Sequence, residues 1–296
     1  MHEFLFKKLI NTYDDNTATK IIDGLKCDKK TTFRVNHIKS TCDEVENELK
    51  SQSIPYEKFD NTDGSNIIIN DVYIIDSDLK SNLENLNIYK EGKIYLQSIS
   101  SMLPVYLLDP NAKENILDMC AAPGSKTTLI QSIANNKVSL TAVELHKDRY
   151  ERLKYNLELQ GANAYTFNMN AIDLDDNFKF DKILIDAPCS GSGILDINNS
   201  NYEKYFTEGL IARCVKTQKN LIKKASKLLN VDGIVVYSTC SLLKEENEDI
   251  VNYAKGCGFE NANLSTIPSS NQIENYIKVF PDSIYEGFFI AKLIKK

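Results

Sequence analysis

Residues 115–127 read NILDMCAAPGSKT, and the change of periodicity inside this stretch decides the fold. Asn115 to Met119 is a short apolar run with the length of a buried strand, whereas Leu129, Ile130 and Ile133 begin the spacing of a helical face. Cys120 to Lys126 is therefore a strand-to-helix turn, made tight by Pro123 and Gly124. Gly124 has no Cβ and lets backbone approach a ligand closely, and the following helix offers unpaired N–H groups to a polar or anionic one. The spacing is not a P-loop, because GxxxxGKS/T is absent, and it lacks the three glycines of a dinucleotide fingerprint. A strand, a glycine and a helix also serve simply to pack a helix on a sheet, so ligand binding must be argued from other stretches.

Outward from the turn, the chain after Lys93 alternates strands with helices, the pattern of a parallel sheet covered on both faces. Strands are expected at Ile116–Met119, Ser139–Val143, Lys182–Ile185 and Gly233–Ser238. Tyr150, Leu153 and Leu157 share one helical face, and Leu221, Ile222, Ala225 and Leu228 another. The fold class is α/β, a doubly wound and mostly parallel sheet, whose ligands bind at the carboxyl ends of the strands near the switch point. Residues 1–92 read as a small N-terminal α/β domain, separated from residues 93–296 at Glu91-Gly92. In it, Phe4–Ile10, Ala18–Leu25 and Asp43–Lys50 have helical spacing, Thr31–Asn36 and Asn66–Asn70 read as strands, and Asn61–Ser65 as a turn.

The strand ends carry the chemistry. Glu144 follows the second strand of the large domain twenty residues after Gly124 (144 less 124), where an acidic side chain can accept both hydrogen bonds of a ribose diol. Such a site serves a nicotinamide or an S-adenosylmethionine cofactor, and the missing GxGxxG favours the latter. Two later strands end in Asp186-Ala-Pro-Cys-Ser-Gly-Ser-Gly193 and Tyr237-Ser-Thr-Cys-Ser241. Free cysteine is usually a small buried hydrophobe. Two at neighbouring strand tips, one beside an aspartate and a glycine-rich loop, suit nucleophilic chemistry better than packing.

Composition narrows the class. With 296 residues, 42% of them hydrophobic, the chain can bury real cores, and no run approaches the length of a membrane span. MHEFLFKKLI at the start lacks a signal-peptide cleavage site, which points to the cytoplasm. The seven cysteines are odd in number and form no CxxC pair, so neither a disulfide framework nor a zinc site is expected, and His2, His37 and His146 are too dispersed to suggest a metal. A net charge of −6 argues against non-specific coating of nucleic acid. Lys216, Lys219, Lys223 and Lys227 nevertheless fall at helical spacing, as an RNA-phosphate track or as a solvated stripe.

Five motifs in order resemble the Sun-type RNA cytosine-C5 methyltransferases, which use S-adenosylmethionine: YLQSISSMLP (95–104), LDMCAAPGSKTT (117–128), LIDAPCSGSG (184–193), YSTCS with the following EEN (237–241, 245–247) and EGFFIAKL (286–293). FRVN (33–36) extends the likeness into the N-terminal domain, which in this family resembles a small RNA-recognition fold, and VFPDSIYEGFFIAKL (279–293) is most similar to bacterial ribosomal-RNA enzymes of the RsmF kind. The resemblance implies that Cys240 is the nucleophile, that Cys189 helps release the covalent adduct, and that Asp186 recognises cytosine and gives general-acid help. It also implies that Cys120, Ala121, Ala122, Pro123, Gly124, Ser125 and Lys126 surround the cofactor with Glu144, Arg149, Asn170 and Asp186, Lys126 alternatively reaching the catalytic loop. An unpaired or flipped cytosine in RNA, ribosomal or transfer RNA, is the implied substrate; neither DNA nor a membrane is an implied partner.

Three positions depart from the family pattern. Ser125 replaces a second glycine, Asn170 stands where an aspartate is usual, and LDINNSNYEKYF follows Gly193 in place of an arginine-rich segment. Other classes remain in view. A DNA cytosine-C5 enzyme would use the proline-cysteine loop as nucleophile, an adenine-N6 enzyme would need an aromatic residue there, and a non-catalytic RNA-binding ribosome-assembly factor would tolerate the departures.

Overall fold

The computed structural model describes residues 2–59, 69, 71–199, 201–262, 271–273 and 276–296. The chain begins with α1 (Glu3–Ile10) and α2 (Asp15–Lys26), the latter started by Asp14, whose side chain accepts the Thr17 N–H. Leu5, Leu9, Ala18 and Ile21 of these helices pack with Phe206, Ile211, Leu242 and Leu243, so α1 and α2 lie on the larger unit.

Next come β1 (Thr31–Val35), α3 (Cys42–Ser51), β2 (Glu57–Lys58), β3 (Val72–Ile75), the short helices α4 (Lys80–Asn85) and α5 (Asn87–Lys90), and β4 (Ile94–Leu96). The four strands pair antiparallel in the order β2-β3-β1-β4 over a core that includes Phe33, Val45, Leu49, Tyr73 and Ile94. The last strand of this sheet thus comes just after Glu91-Gly92. The turn expected at Asn61–Ser65 and the strand expected at Asn66–Asn70 lie, Ile69 apart, outside the described residues.

The large unit contains α6 (Ile99–Leu108), β5 (Asn115–Asp118), α7 (Ser125–Ala134), β6 (Ser139–Glu144), α8 (Lys147–Gln160), β7 (Tyr165–Asn168), β8 (Phe180–Asp186), α9 (Tyr202–Tyr205), α10 (Glu208–Leu228), β9 (Leu229–Thr239), α11 (Glu248–Lys255), β10 (Phe259–Asn261), β11 (Asn271–Ile273), β12 (Tyr276–Val279) and β13 (Phe288–Lys295). Its sheet runs β11-β12-β13-β9-β8-β5-β6-β7, with β10 also paired to β13. Strands β7, β6, β5, β8 and β9 are parallel. Successive side chains of the central strands enter opposite layers, as period-2 alternation requires. Leu117, Ile183 and Val235 meet Leu221, Ile222, Ala225 and Leu228 of α10, while Ile116, Leu184 and Val236 meet Met102 and Leu103 of α6 and Leu129 and Ile130 of α7. The α/β fold expected from the alternation of strands and helices is the fold found.

The strand order reverses between β5 and β8, which opens the crevice where such sheets bind ligands. Gly124 closes the turn after β5 with φ at +106°, a conformation that favours glycine, and a Cβ there would stand 3.1 Å from Leu153 Cδ1. Ser125 and Lys126 already belong to the first turn of α7. EGFFIAKL supplies β13, antiparallel to β9. It is not an edge strand, because β12 and β10 pair along its other side. Among the described residues no helix is long and apolar enough to cross a membrane.

Candidate active site

Three strand tips form one half of the crevice. Glu144 ends β6 with only 3% of its surface exposed; its Oε1 accepts the His146 N–H at 2.8 Å and its Oε2 lies 3.7 Å from Arg149 Nη1. Arg149, in the first turn of α8, also donates to the Ala122 carbonyl at 2.5 Å, and the Ala121 N–H donates to Val143 O at 2.9 Å. Backbone and side chain together therefore hold the turn containing Cys120, Ala121, Ala122, Pro123 and Gly124 against the end of β6. Asn170, just beyond β7, accepts the Ile172 N–H through Oδ1 at 3.3 Å, and its Nδ2 has no partner among the described residues. Beneath the turn, Asp118 is buried, accepting Thr127 Oγ1 at 2.8 Å and the Cys120 N–H at 3.4 Å. Burial, aided by the charge of Asp186, pushes its carboxyl up to about 7. The Cys120 thiol is likewise pushed well up, by burial first and then by Asp118, Asp186 and Glu144, so it stays protonated.

The other half is built from the tips of β8 and β9. Cys189 and Cys240 come together there with sulfurs 3.1 Å apart. The Cys189 thiol is pushed well up by its hydrogen bond to Cys240 and then by burial. Asp186 ends β8 between the halves. Lys126 Nζ reaches its Oδ2 at 2.7 Å and Ser101 Oγ at 2.8 Å, while Ser238 Oγ donates to Asp186 Oδ1 at 2.9 Å. Lys126, in the first turn of α7, thus extends its ammonium to the end of β8. Gly193 and Gly287 lie so close that a Cβ on Gly193 would stand 2.3 Å from the Gly287 carbonyl oxygen, and the Gly193 N–H donates to Cys240 O at 2.9 Å.

Several polar residues of the crevice were not singled out from the sequence. Asp118, Ser192, Ser241, Glu246 and Asn247 are buried and Ser101 is half-buried, and only Asp118 carried a signal, an acidic side chain among apolar neighbours in NILDM. Of the lysine stripe on α10, Lys219 lies over the Tyr253 ring and Lys227 pairs with Asp176 at 3.0 Å, whereas Lys216 and Lys223 are exposed. On the small unit, ligand atoms of His37, Cys42 and Asp71 lie within 4.8 Å of one another. Asp71 is already paired with His37 at 2.7 Å and faces Lys58 at 3.8 Å, which accounts for the grouping.

Comparison with known proteins converges on one family. The family model described as 16S rRNA methyltransferase RsmB/F matches residues 105–294, a span that holds every residue of the crevice from Asp118 to Asn247. This chain belongs to the RsmB/F family. It is 31% identical over 254 residues to the probable ribosomal RNA small subunit methyltransferase B of Bacillus subtilis, covering 84% of this chain and 54% of that protein. It is 35% identical over 227 residues to the ribosomal RNA small subunit methyltransferase F of Vibrio campbellii, covering 72% of this chain and 47% of that protein. The chain thus spans about half the length of these curated relatives. Among solved structures, a methyltransferase homolog protein from Pyrococcus horikoshii superimposes with a TM-score of 0.79 at 26% identity over all of both chains. NSun6 from the same organism, solved with SFG, gives a TM-score of 0.82 at 24% identity over 99% of this chain and 98% of that one, a likeness of fold.

The cofactor of the RsmB/F family is S-adenosylmethionine. The donor set of the first half fits it. Glu144 offers carboxylate lone pairs to a diol, Asn170 an amide to the adenine, and the Gly124 turn an approach free of side chain.

Proposed function

We propose that this chain transfers a methyl group from S-adenosylmethionine to C5 of a cytosine in RNA through a covalent cysteine–C6 adduct. The observation that carries the reading is the pair of cysteine sulfurs 3.1 Å apart, beside an aspartate bonded to a lysine. C5 of cytosine is a poor nucleophile, and a thiolate adding at C6 makes it an enamine carbon. When bound, S-adenosylmethionine supplies the electrophilic methyl that such a carbon accepts. Cys240 is the adding thiol, and Cys189, which keeps its proton, serves the later breakdown of the adduct. Asp186 holds the N3/N4 edge of the base and gives N3 its proton as the adduct forms, with the Lys126 ammonium on its Oδ2 able to return a proton to the carboxylate. Cys120 to Lys126, Glu144, Arg149 and Asn170 cradle the cofactor. Lys126 reaches across from that cradle to the base.

Small-subunit ribosomal RNA is the substrate we propose, on the strength of the relatives' names. Residues 1–92 are the RNA-recognition unit and 93–296 the methyl-transfer unit; the separate antiparallel sheet with its own core supports a second unit, although that sheet takes β4 from just beyond Gly92 and α1 and α2 pack on the larger unit. The test is tritium transfer from labelled S-adenosylmethionine into total RNA, with DNA as control, followed by bisulfite sequencing of RNA from cells with and without the protein. Label in ribosomal RNA is expected. Label in transfer RNA alone would move the substrate, and no label in any RNA pool would leave the assembly-factor reading in its place.

A further inference from the structure

Two loops bring the cysteines together, one following β8 and one following β9, and 51 residues separate the sulfurs in sequence. A parallel sheet fixes where the strands end, yet it does not fix where the first residues beyond them point. Something else must hold both loops, and one side chain bonds to each. Glu246 is fully buried, and its Oε1 accepts the Ser190 N–H at 2.8 Å and Gln218 Nε2 at 3.3 Å. Its Oε2 accepts the hydroxyls of Ser190 at 2.5 Å and Ser241 at 2.6 Å. Ser190 follows Cys189 directly, and Ser241 follows Cys240.

We infer that Glu246, which bonds to neither sulfur, is the positioning residue that holds the Cys189 and Cys240 loops in register across the sheet. This deepens the function proposed above and rests on it for the chemistry of the two thiols. Four donors satisfy the carboxylate where it stands, so moving either loop would strip a buried charge of its partners. Neighbouring groups brace the same arrangement. Asn247 accepts Thr239 Oγ1 at 2.6 Å and donates to Ser241 O at 2.8 Å, and the hydroxyls of Ser192 and Ser241 lie 3.0 Å apart. Gln218 also donates to Pro188 O at 2.9 Å, tying α10 to the first loop. The bond pattern makes a specific demand on substitution. Oε2 receives only hydroxyls, which can rotate to accept from an amide, so Glu246→Gln can keep all four contacts whereas Glu246→Ala loses them.

The arrangement can be read without RNA, from the rate at which the two thiols form a disulfide. With oxidised glutathione as the oxidant, one cysteine thiolate attacks its S–S bond and releases one glutathione thiolate. The second cysteine then attacks the mixed disulfide and releases the other. Two protein thiols are oxidised, one glutathione disulfide is reduced to two thiols, and the two cysteine protons end on glutathione. Appearance of the peptide linking Cys189 to Cys240, followed by mass spectrometry, should be at least about tenfold slower in Glu246→Ala and within about threefold of wild type in Glu246→Gln. In methyl transfer, Glu246→Ala should lose about a hundredfold in kcat with little change in KM for S-adenosylmethionine, and Glu246→Gln should recover most of that loss.

Equal oxidation rates in wild type and Glu246→Ala would overturn the inference, as would a Gln variant as slow as the Ala variant. If the Ala variant does not fold, the double variant Ser190→Ala/Ser241→Ala, which removes two of the four donors, should slow oxidation at least about threefold, and no slowing there counts against Glu246 equally. Absence of methyl transfer by wild type would sink the proposed function and leave the thiol measurement standing, so the two failures are distinguishable.

Discussion

Asp118 and Glu246 are both carboxylates buried beneath the same crevice, at 1% and 0% exposure, and their surroundings differ in kind. Glu246 lies under the cysteine half and receives four hydrogen bonds from two loops and a helix. Asp118 lies under the cofactor half, where one hydroxyl at 2.8 Å and one long N–H contact at 3.4 Å leave its carboxyl pushed up to about 7. The difference follows what each half has to do. In the proposed reaction two sulfurs must stay in register through addition and elimination, which favours a saturated network. A cofactor must enter and its product must leave, which favours strand tips that each contribute one contact. Disruption of the cysteine half should therefore be all or none, and disruption of the cofactor half graded.

The largest effects are expected from the sulfurs. Cys240→Ala should abolish methylation, leave cofactor affinity nearly unchanged, and give no RNA complex on denaturing electrophoresis. Cys189→Ala should instead accumulate a protein–RNA adduct that survives boiling in detergent, and the double variant should lose it. The opposite pattern, with Cys240→Ala trapped and Cys189→Ala free, would reverse the two roles.

Asp118 provides the next test, through pH. Its native pKa of about 7 exceeds its ordinary 3.8, so between those values the folded protein holds a proton that the unfolded chain has lost. Stability attributable to Asp118 is thus fully present below about pH 4 and lost as pH rises to about 7, a difference on the order of a few kcal/mol. Urea midpoints at pH 5 and 7.5 should converge in Asp118→Asn relative to wild type. Equal pH dependence in both proteins would show that Asp118 titrates as an ordinary carboxyl.

How much of this was legible in the sequence differs between the halves too. The turn from Cys120 to Gly124 and the cysteines at their strand tips could be read, because a change from one periodicity to another marks a strand end whatever lies beyond it. Strand β7 was not read, since it is four residues long, its alternation rests on two aromatics alone, and Tyr165, Phe167 and Asn168 are exposed on an edge. β12 was also missed, although it is mostly buried. Glu246 was quoted with its motif, in EEN, but its place was not legible: polar runs usually lie at the surface, and only the fold turns this one inward beneath the two loops.

On the cofactor side, Glu144→Ala should weaken S-adenosylmethionine by about 1.5 to 3 kcal/mol, roughly ten- to a hundredfold in affinity. Calorimetry is the measurement. Because Glu144 also accepts the His146 N–H and faces Arg149, Glu144→Gln should fall between wild type and alanine. Unchanged affinity in both variants would take Glu144 out of the site.

The smallest effect should come from Asn170. Its Oδ1 is already committed to the Ile172 N–H, which caps the short turn after β7, and aspartate at this position can keep that bond while adding a charged acceptor. Against this gain, aspartate loses the uncommitted Nδ2 donor and brings a second acid near Glu144, whose backbone carbonyl accepts the Met169 N–H at 3.1 Å. The charged acceptor outweighs the lost donor if a cofactor amine is what faces residue 170, since charge-assisted bonds are the stronger. Asn170→Asp should then tighten S-adenosylmethionine about two- to tenfold in the same calorimetric titration. Weaker binding would mean that a ring nitrogen faces the position and that the asparagine donor is in use.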